Sequence, residues 1–349
     1  MRALVGQGSI GSRPSAVLVL FAVGCGGGGP LPGGPLFGDG GSAGAGGAPD
    51  SGPHELLSET GLYADLARSE ELAEGVASYR PRFELWADGA EKRRFVWLPP
   101  GAAIETSDMD HWTFPVGTRF WKEFRRDGVR VETRLLEKTA ETEWHMLAYV
   151  WSDDDTDARL APRGASDARG TGHDVPSGVM CGECHHNVPD KVLGFDAVQL
   201  SHSAGGLTLA DLAREGRLTE EPVDLVVLPG DEVAQAALGY LHANCGNCHN
   251  PRSGIFPTVR QELRLEVGSL GSVEDTTVYR STVGVPLQGV PPSEDTPALR
   301  IQPGRPEGSA VHHRMASRDS LVQMPPLSTE VPDGDGLEAV GAWIQALEP

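Results

Sequence analysis

The chain has 349 residues, with 29 Lys and Arg against 49 Asp and Glu, a formal charge of −20, and 39% hydrophobic residues. That acidity disfavours a nucleic-acid partner, whose phosphates demand a basic face, and suits a basic protein partner approached with a salt-sensitive on-rate. With only five Cys and eleven His, the placement of these residues carries most of the chemical information.

Ala16 to Val23 form an apolar run behind Arg2 and Arg13, too short to span a bilayer but sized for the core of an export signal. Residues 1–24 therefore read as a leader. The run ends Phe21-Ala22-Val23-Gly24-Cys25, which resembles a bacterial lipobox and implies lipidation of Cys25; an ordinary signal peptide with an incidental Cys is the plainer alternative. From Gly26 to Pro53, thirteen of 28 residues are Gly and five are Pro, a composition that cannot bury a core. Residues 25–54 read as a tether reaching on the order of 30 Å as a flexible coil. Gly26 in place of Asp after the Cys implies, by the same resemblance, outer-membrane sorting. The expected location is the cell envelope, with membrane attachment through the N-terminal lipid.

Six of the seven Trp fall between Tyr79 and Trp151. Arg119–Phe124 and Val129–Leu135 flank Asp127-Gly128, a hairpin signature, and Phe120, Lys122 and Phe124 share one face of the first strand. Residues 55–165 are expected to form a small antiparallel β domain, its Trp and Phe serving as core. The acidic run at Asp153–Asp157 lacks the Gly and Glu of a calcium loop and reads as a solvated turn.

The next segment, 166–230, holds Cys181-Gly182-Glu183-Cys184-His185, and the last, 231–349, holds Cys245-Gly246-Asn247-Cys248-His249. Two thiols three positions apart can each form a thioether to a haem vinyl group, and the following His is then placed to reach the iron. Two such matches in so Cys-poor a chain would arise by chance on the order of once in a million shuffled sequences. Zinc knuckles, which prefer closer spacing, and simple disulfides leave the repeated His unexplained. The cofactor expected is two covalently attached haem c groups, with Cys181, Cys184, Cys245 and Cys248 as attachment points and His185 and His249 as proximal iron ligands.

Asp231 to Ala243 predicts a helix running into Cys245, with Val233, Ala237, Leu238 and Leu241 at helical spacing; Leu337 to Leu347 predicts a second. Between them, Met324 in Gln323-Met324-Pro325-Pro326 is the candidate sixth ligand of the second haem, with Met315, His312 and His313 as alternatives. For the first haem, His173 and His202 are the candidates, since Met180 and His186 are tied to the same side as the motif. His242 reads as a solvated helix position.

Leu85-Trp86-Ala87-Asp88-Gly89-Ala90-Glu91-Lys92, His173-Asp174-Val175-Pro176-Ser177, Val192-Leu193-Gly194-Phe195 and Tyr240-Leu241-His242-Ala243-Asn244-Cys245 resemble a family of bacterial dihaem c-type cytochromes over about residues 58–349. The resemblance implies an α+β protein, an N-terminal antiparallel β domain followed by an all-α cytochrome c-like region. Helix, motif, long loop, Met and terminal helix follow one another in the order of a class I cytochrome c. The leading functional expectation is single-electron transfer to a redox partner protein. The alternatives are a dihaem oxidoreductase, such as a peroxidase with an open first haem, and an envelope-binding protein that carries a haem relay.

Overall fold

Alternation of apolar and charged residues between residues 76 and 160 produces a six-stranded antiparallel meander in which every strand pairs with its sequence neighbour. A computed structural model of the protein describes residues 53–66, 71–220, 222, 225–288 and 297–348; the leader, Cys25 and nearly all of the tether lie outside the described residues. The strands are β1 (Val76–Tyr79), β2 (Glu91–Trp97), β3 (Arg119–Arg126), β4 (Val129–Lys138), β5 (Trp144–Trp151) and β6 (Ala158–Leu160). The β3–β4 turn is the expected one: Asp127 and Gly128 both take positive φ, 50° and 79°, as a tight hairpin turn between twisted strands requires.

Each sheet face has its own apolar layer. Phe95, Trp121, Leu135, Tyr149 and Trp151 pack against Leu57, Leu62 and Tyr63. The opposite face presents Tyr79, Val96, Phe120 and Leu136 to Phe195, Leu200, Leu209, Leu238 and Trp343. Phe195 joins the two regions, its ring 4.8 Å from Tyr79 and 5.1 Å from Phe120 in edge-to-face contacts. Each large side chain buried in this way contributes on the order of 1.5–3 kcal/mol. Sheet structure extends past residue 165: β7 (Ala165–Ala168) pairs with β8 (His173–Val175). This ribbon, broken by a bulge and by Gly170 and Gly172 at positive φ, is too short to show alternation in sequence.

The remainder is largely helical, so the chain is α+β with sheet before helices. Its helices are α1 (Gly178–His185), α2 (Ala197–Leu200), α3 (Leu209–Arg214), α4 (Glu232–Asn244), α5 (Phe256–Val259), α6 (Thr277–Thr282), α7 (Ala310–Ala316) and α8 (Gly334–Ala346). Asp231 and Asp333 cap α4 and α8 by accepting from Ala234 and Gly336 backbone N–H groups, which fixes both starts. α4 and α8 pack closely because Gly336 meets the Tyr240 ring, which a Cβ would approach to 2.2 Å. One apolar cluster draws residues from both sides of positions 165 and 230, Tyr79 and Phe120 together with Phe195 and Leu238. Among the described residues no helix is long and apolar enough to cross a membrane.

The bend after α1 is pinned to the sheet by one carboxylate. Asp190 accepts from the Phe114 backbone N–H at 2.7 Å, the buried Lys138 ammonium at 2.7 Å and the Trp144 indole N–H at 3.0 Å. Asp190→Ala would strand the Lys138 charge in the interior, and we expect a loss of about 3–5 kcal/mol, read as a fall in the denaturant midpoint at unchanged slope.

Candidate functional site

Ser177 starts α1 by accepting from the Met180 backbone N–H. Helical spacing then puts Cys181, Cys184 and His185 on one side of the helix, while Val179 and Met180 face solvent. Beyond the helix, Asp190 and Lys191 adopt left-handed φ of 43° and 61°, a strained bend for side-chain-bearing residues. The Asp190 contacts hold it. The bend aims the Lys191 carbonyl at His185, whose Nδ1 lies 2.6 Å away. Because a carbonyl only accepts, Nδ1 carries the proton and Nε2 presents its lone pair. Burial lowers the His185 pKa to about 4, so the ring is neutral near pH 7. A neutral imidazole with an oriented, unprotonated Nε2 is what an iron ligand requires.

The second motif begins where α4 ends. The Cys245 N–H still bonds Leu241, and the N–H groups of Cys248 and His249 both bond the Cys245 carbonyl in a last tight turn. Asn247 and Asn250 donate to the Ala243 and Gly246 carbonyls, satisfying groups that a helix end leaves open. His249 is also held neutral by burial, with its pKa lowered to about 4, and its buried Nδ1 has no hydrogen-bond partner. Position 246 admits no side chain: a Cβ would lie 2.6 Å from the His242 carbonyl and 2.8 Å from the Arg264 backbone.

Sixty residues separate the motifs in sequence, yet they meet in space. The Cys184 and Cys248 thiols lie close enough to act on each other, which lowers the Cys184 pKa and raises that of Cys248. All four motif cysteines are free thiols and part-exposed. Among the described residues no three Cys, His, Asp or Glu side chains converge on a common metal position. Cys181 and His185 line a small open cleft, about 50 Å³ in volume, whose other wall is the sheet face bearing Phe120, Lys122, Arg134, Leu136 and Met146.

The structure disposes of the other candidates unevenly. The Met324 N–H bonds the Arg314 carbonyl at 2.9 Å, and Arg314 lies close enough to His249 to act on it electrostatically, so the Met324 loop and the second motif share a neighbourhood. The far end of that loop is tied to the β region, where the Trp86 indole donates to the Val331 carbonyl and Asp88 accepts from the Glu330 and Val331 N–H groups. His173 bonds the buried Glu132 through Nε2 at 2.8 Å and packs on Phe124. Both ring nitrogens of His202 are engaged, with the Arg80 carbonyl and the Ala204 N–H. His242, expected in solvent, is buried. It accepts from the Leu265 N–H and faces Asp196, which also holds Arg264 at 3.0 Å, because α2 and the strand-like run at 263–265 close over α4.

Lys122, Arg134 and Met146 escaped the sequence reading as site residues, although Lys122 between Phe120 and Phe124 on a core-facing strand side was a visible anomaly. Gly246→Ala is expected to destabilise the protein by about 1–3 kcal/mol through overpacking against backbone. Gly182→Ala, which meets only the movable His186 ring, should cost markedly less; denaturant unfolding of the two variants side by side checks this.

No protein-family model, no curated protein and no solved structure matches the chain.

Proposed function

We propose that the protein is a dihaem c-type cytochrome that moves single electrons at the cell envelope. The observation that carries this reading is the meeting of two complete C-x-x-C-H motifs at Cys184 and Cys248, each ending in a partly buried His held neutral near pH 7. In this reading Cys181 and Cys184 hold one haem and Cys245 and Cys248 the other, with His185 and His249 as proximal ligands. When bound, each haem supplies a one-electron iron couple. The protein's part is to orient and to insulate. Lys191 fixes the His185 tautomer, and the aromatic and aliphatic walls of the cleft exclude water and keep the local dielectric low.

The finer fold belongs to the same proposal: α4, the second motif, the long loop with Met324 and α8 form a class I cytochrome c-like module. Met324 completes the second iron's coordination, and lipid on Cys25 anchors the chain to the outer membrane. A basic redox partner suits the overall charge. A dihaem oxidoreductase with an open first haem is the second reading, favoured by the engagement of His173 and His202 with other groups.

Exported full-length protein should give two haems per chain by pyridine haemochrome and two one-electron waves in a spectroscopic redox titration. A haem-free chain carrying a Cys184–Cys248 disulfide by intact mass would sink the reading. Carbon monoxide binding at one reduced haem together with peroxide turnover would select the oxidoreductase instead.

Met324→Ala should keep both haems yet lower the more positive midpoint potential, since a thioether opposite imidazole favours ferrous iron. An unchanged titration would assign the ligand elsewhere.

A further inference from the structure

Directly paired residues in an antiparallel sheet share a face, and three consecutive strands of this sheet pair cation with cation with cation. Arg94 on β2 is the register partner of Lys122 on β3, which is the partner of Arg134 on β4. Like charges opposite one another in a sheet are destabilising, so the row demands a counter-charge. Arg94 has Glu84 at 3.2 Å, and Arg134 has the fully buried Glu132. Among the described residues no acceptor hydrogen-bonds the Lys122 ammonium, on which Arg94, Arg134 and Lys92 all act unfavourably and Glu132 alone favourably. Burial and these neighbouring cations hold the Lys122 pKa well below its ordinary value, so an anion docked at this point of the row would favour its charged form.

The row reaches the first motif. Lys122 and Arg134 line the same cleft as Cys181 and His185, and Arg134 is near enough to both Cys181 and Cys184 to act on each. The cleft is apolar elsewhere, with Tyr79, Phe120, Leu136, Met146, Val192 and Leu193 around it. A cleft so lined suits a largely apolar body with an anionic edge. We infer that the Arg94–Lys122–Arg134 row, with Lys122 at its centre, binds the two propionate carboxylates of the haem attached at Cys181 and Cys184. This rests on the dihaem reading and adds to it which edge of the macrocycle meets the sheet. Lys122 is a positioning residue that acts by charge: a cation beside the carboxylates disfavours the more positive ferric centre, so it holds the potential of that haem up.

The test uses exported, haem-loaded full-length protein, with haem counted by pyridine haemochrome and both midpoint potentials read by spectroscopic titration. Lys122→Gln should retain two haems and shift one midpoint to more negative potential while leaving the other in place, and Lys122→Arg should restore it. If Lys122→Gln yields a one-haem chain that Lys122→Arg returns to two, the charge is needed for loading and the assignment also stands. Two attached haems with both potentials unmoved in Lys122→Gln would overturn it, as would Lys122→Arg behaving like Lys122→Gln, which would mean packing and not charge. A wild-type potential that shifts with added inorganic phosphate at fixed ionic strength would assign the row to a soluble anion and likewise overturn it. A wild-type chain without haem would instead defeat the dihaem reading itself.

Discussion

The Asp190 carboxylate is the constraint on which the first motif depends. It sits at the point where the chain leaves α1 and turns back toward the aromatic core, and it ties that turn to three separate parts of the sheet region through Phe114, Lys138 and Trp144. The bend it stabilises holds two non-glycine residues in left-handed conformations, each costing on the order of 1–3 kcal/mol. A charge-assisted network of three donors is of the size needed to offset that strain. What the strain produces is local and chemical: the Lys191 carbonyl faces Nδ1 of His185, so the proton, the tautomer and the direction of the free lone pair are set together.

The second motif reaches a similar end by another route. No carbonyl fixes His249, whose Nδ1 is buried without a partner. Its backbone is placed by the final turn of α4, by Asn247 and Asn250 closing the helix end, and by Gly246 lying against the Arg264 backbone. The Asp196, Arg264 and His242 contacts fasten that same backbone to the segment after the first motif. Burial would raise the Asp196 pKa, but the Arg264 guanidinium and His242 outweigh it and hold the carboxyl well below the usual range. The two motifs are thus registered against each other by a buried ion pair as well as by the aromatic contacts of Phe195, and the Cys184–Cys248 contact is a consequence of that registration.

Local chemistry was legible in the sequence wherever one segment sufficed to specify it. Asp127-Gly128 announces the hairpin, Asp231 and Asp333 sit at the caps of helices whose apolar spacing is plain, and the attachment motifs are defined by five contiguous residues. What stayed hidden depends on partners distant in sequence. His242 looks solvated on its own helix because nothing nearby reveals Asp196 or the Leu265 backbone above it. His173 looks free because Glu132 lies on another strand. The cationic row is invisible because strand register, and not spacing along any one strand, brings Arg94, Lys122 and Arg134 together.

The two faces of the sheet handle buried charge in opposite ways, and this difference orders the molecule. On the face toward Tyr63, the fully buried Glu123 is surrounded by Arg93, Arg125 and Arg130 and accepts from the Tyr63 hydroxyl at 2.8 Å. An unpaired carboxylate there would be expensive, and the three guanidiniums around it compensate it. On the face toward the first motif Lys122 and Arg134 lie at an apolar cleft, where screening by water and salt is weak. A lysine there must meet an anion or give up its proton, and burial beside Arg94 and Arg134 holds the Lys122 pKa well below its ordinary value. Lys122 and Arg134 thus bring the electrostatics of the sheet to Cys181, Cys184 and His185.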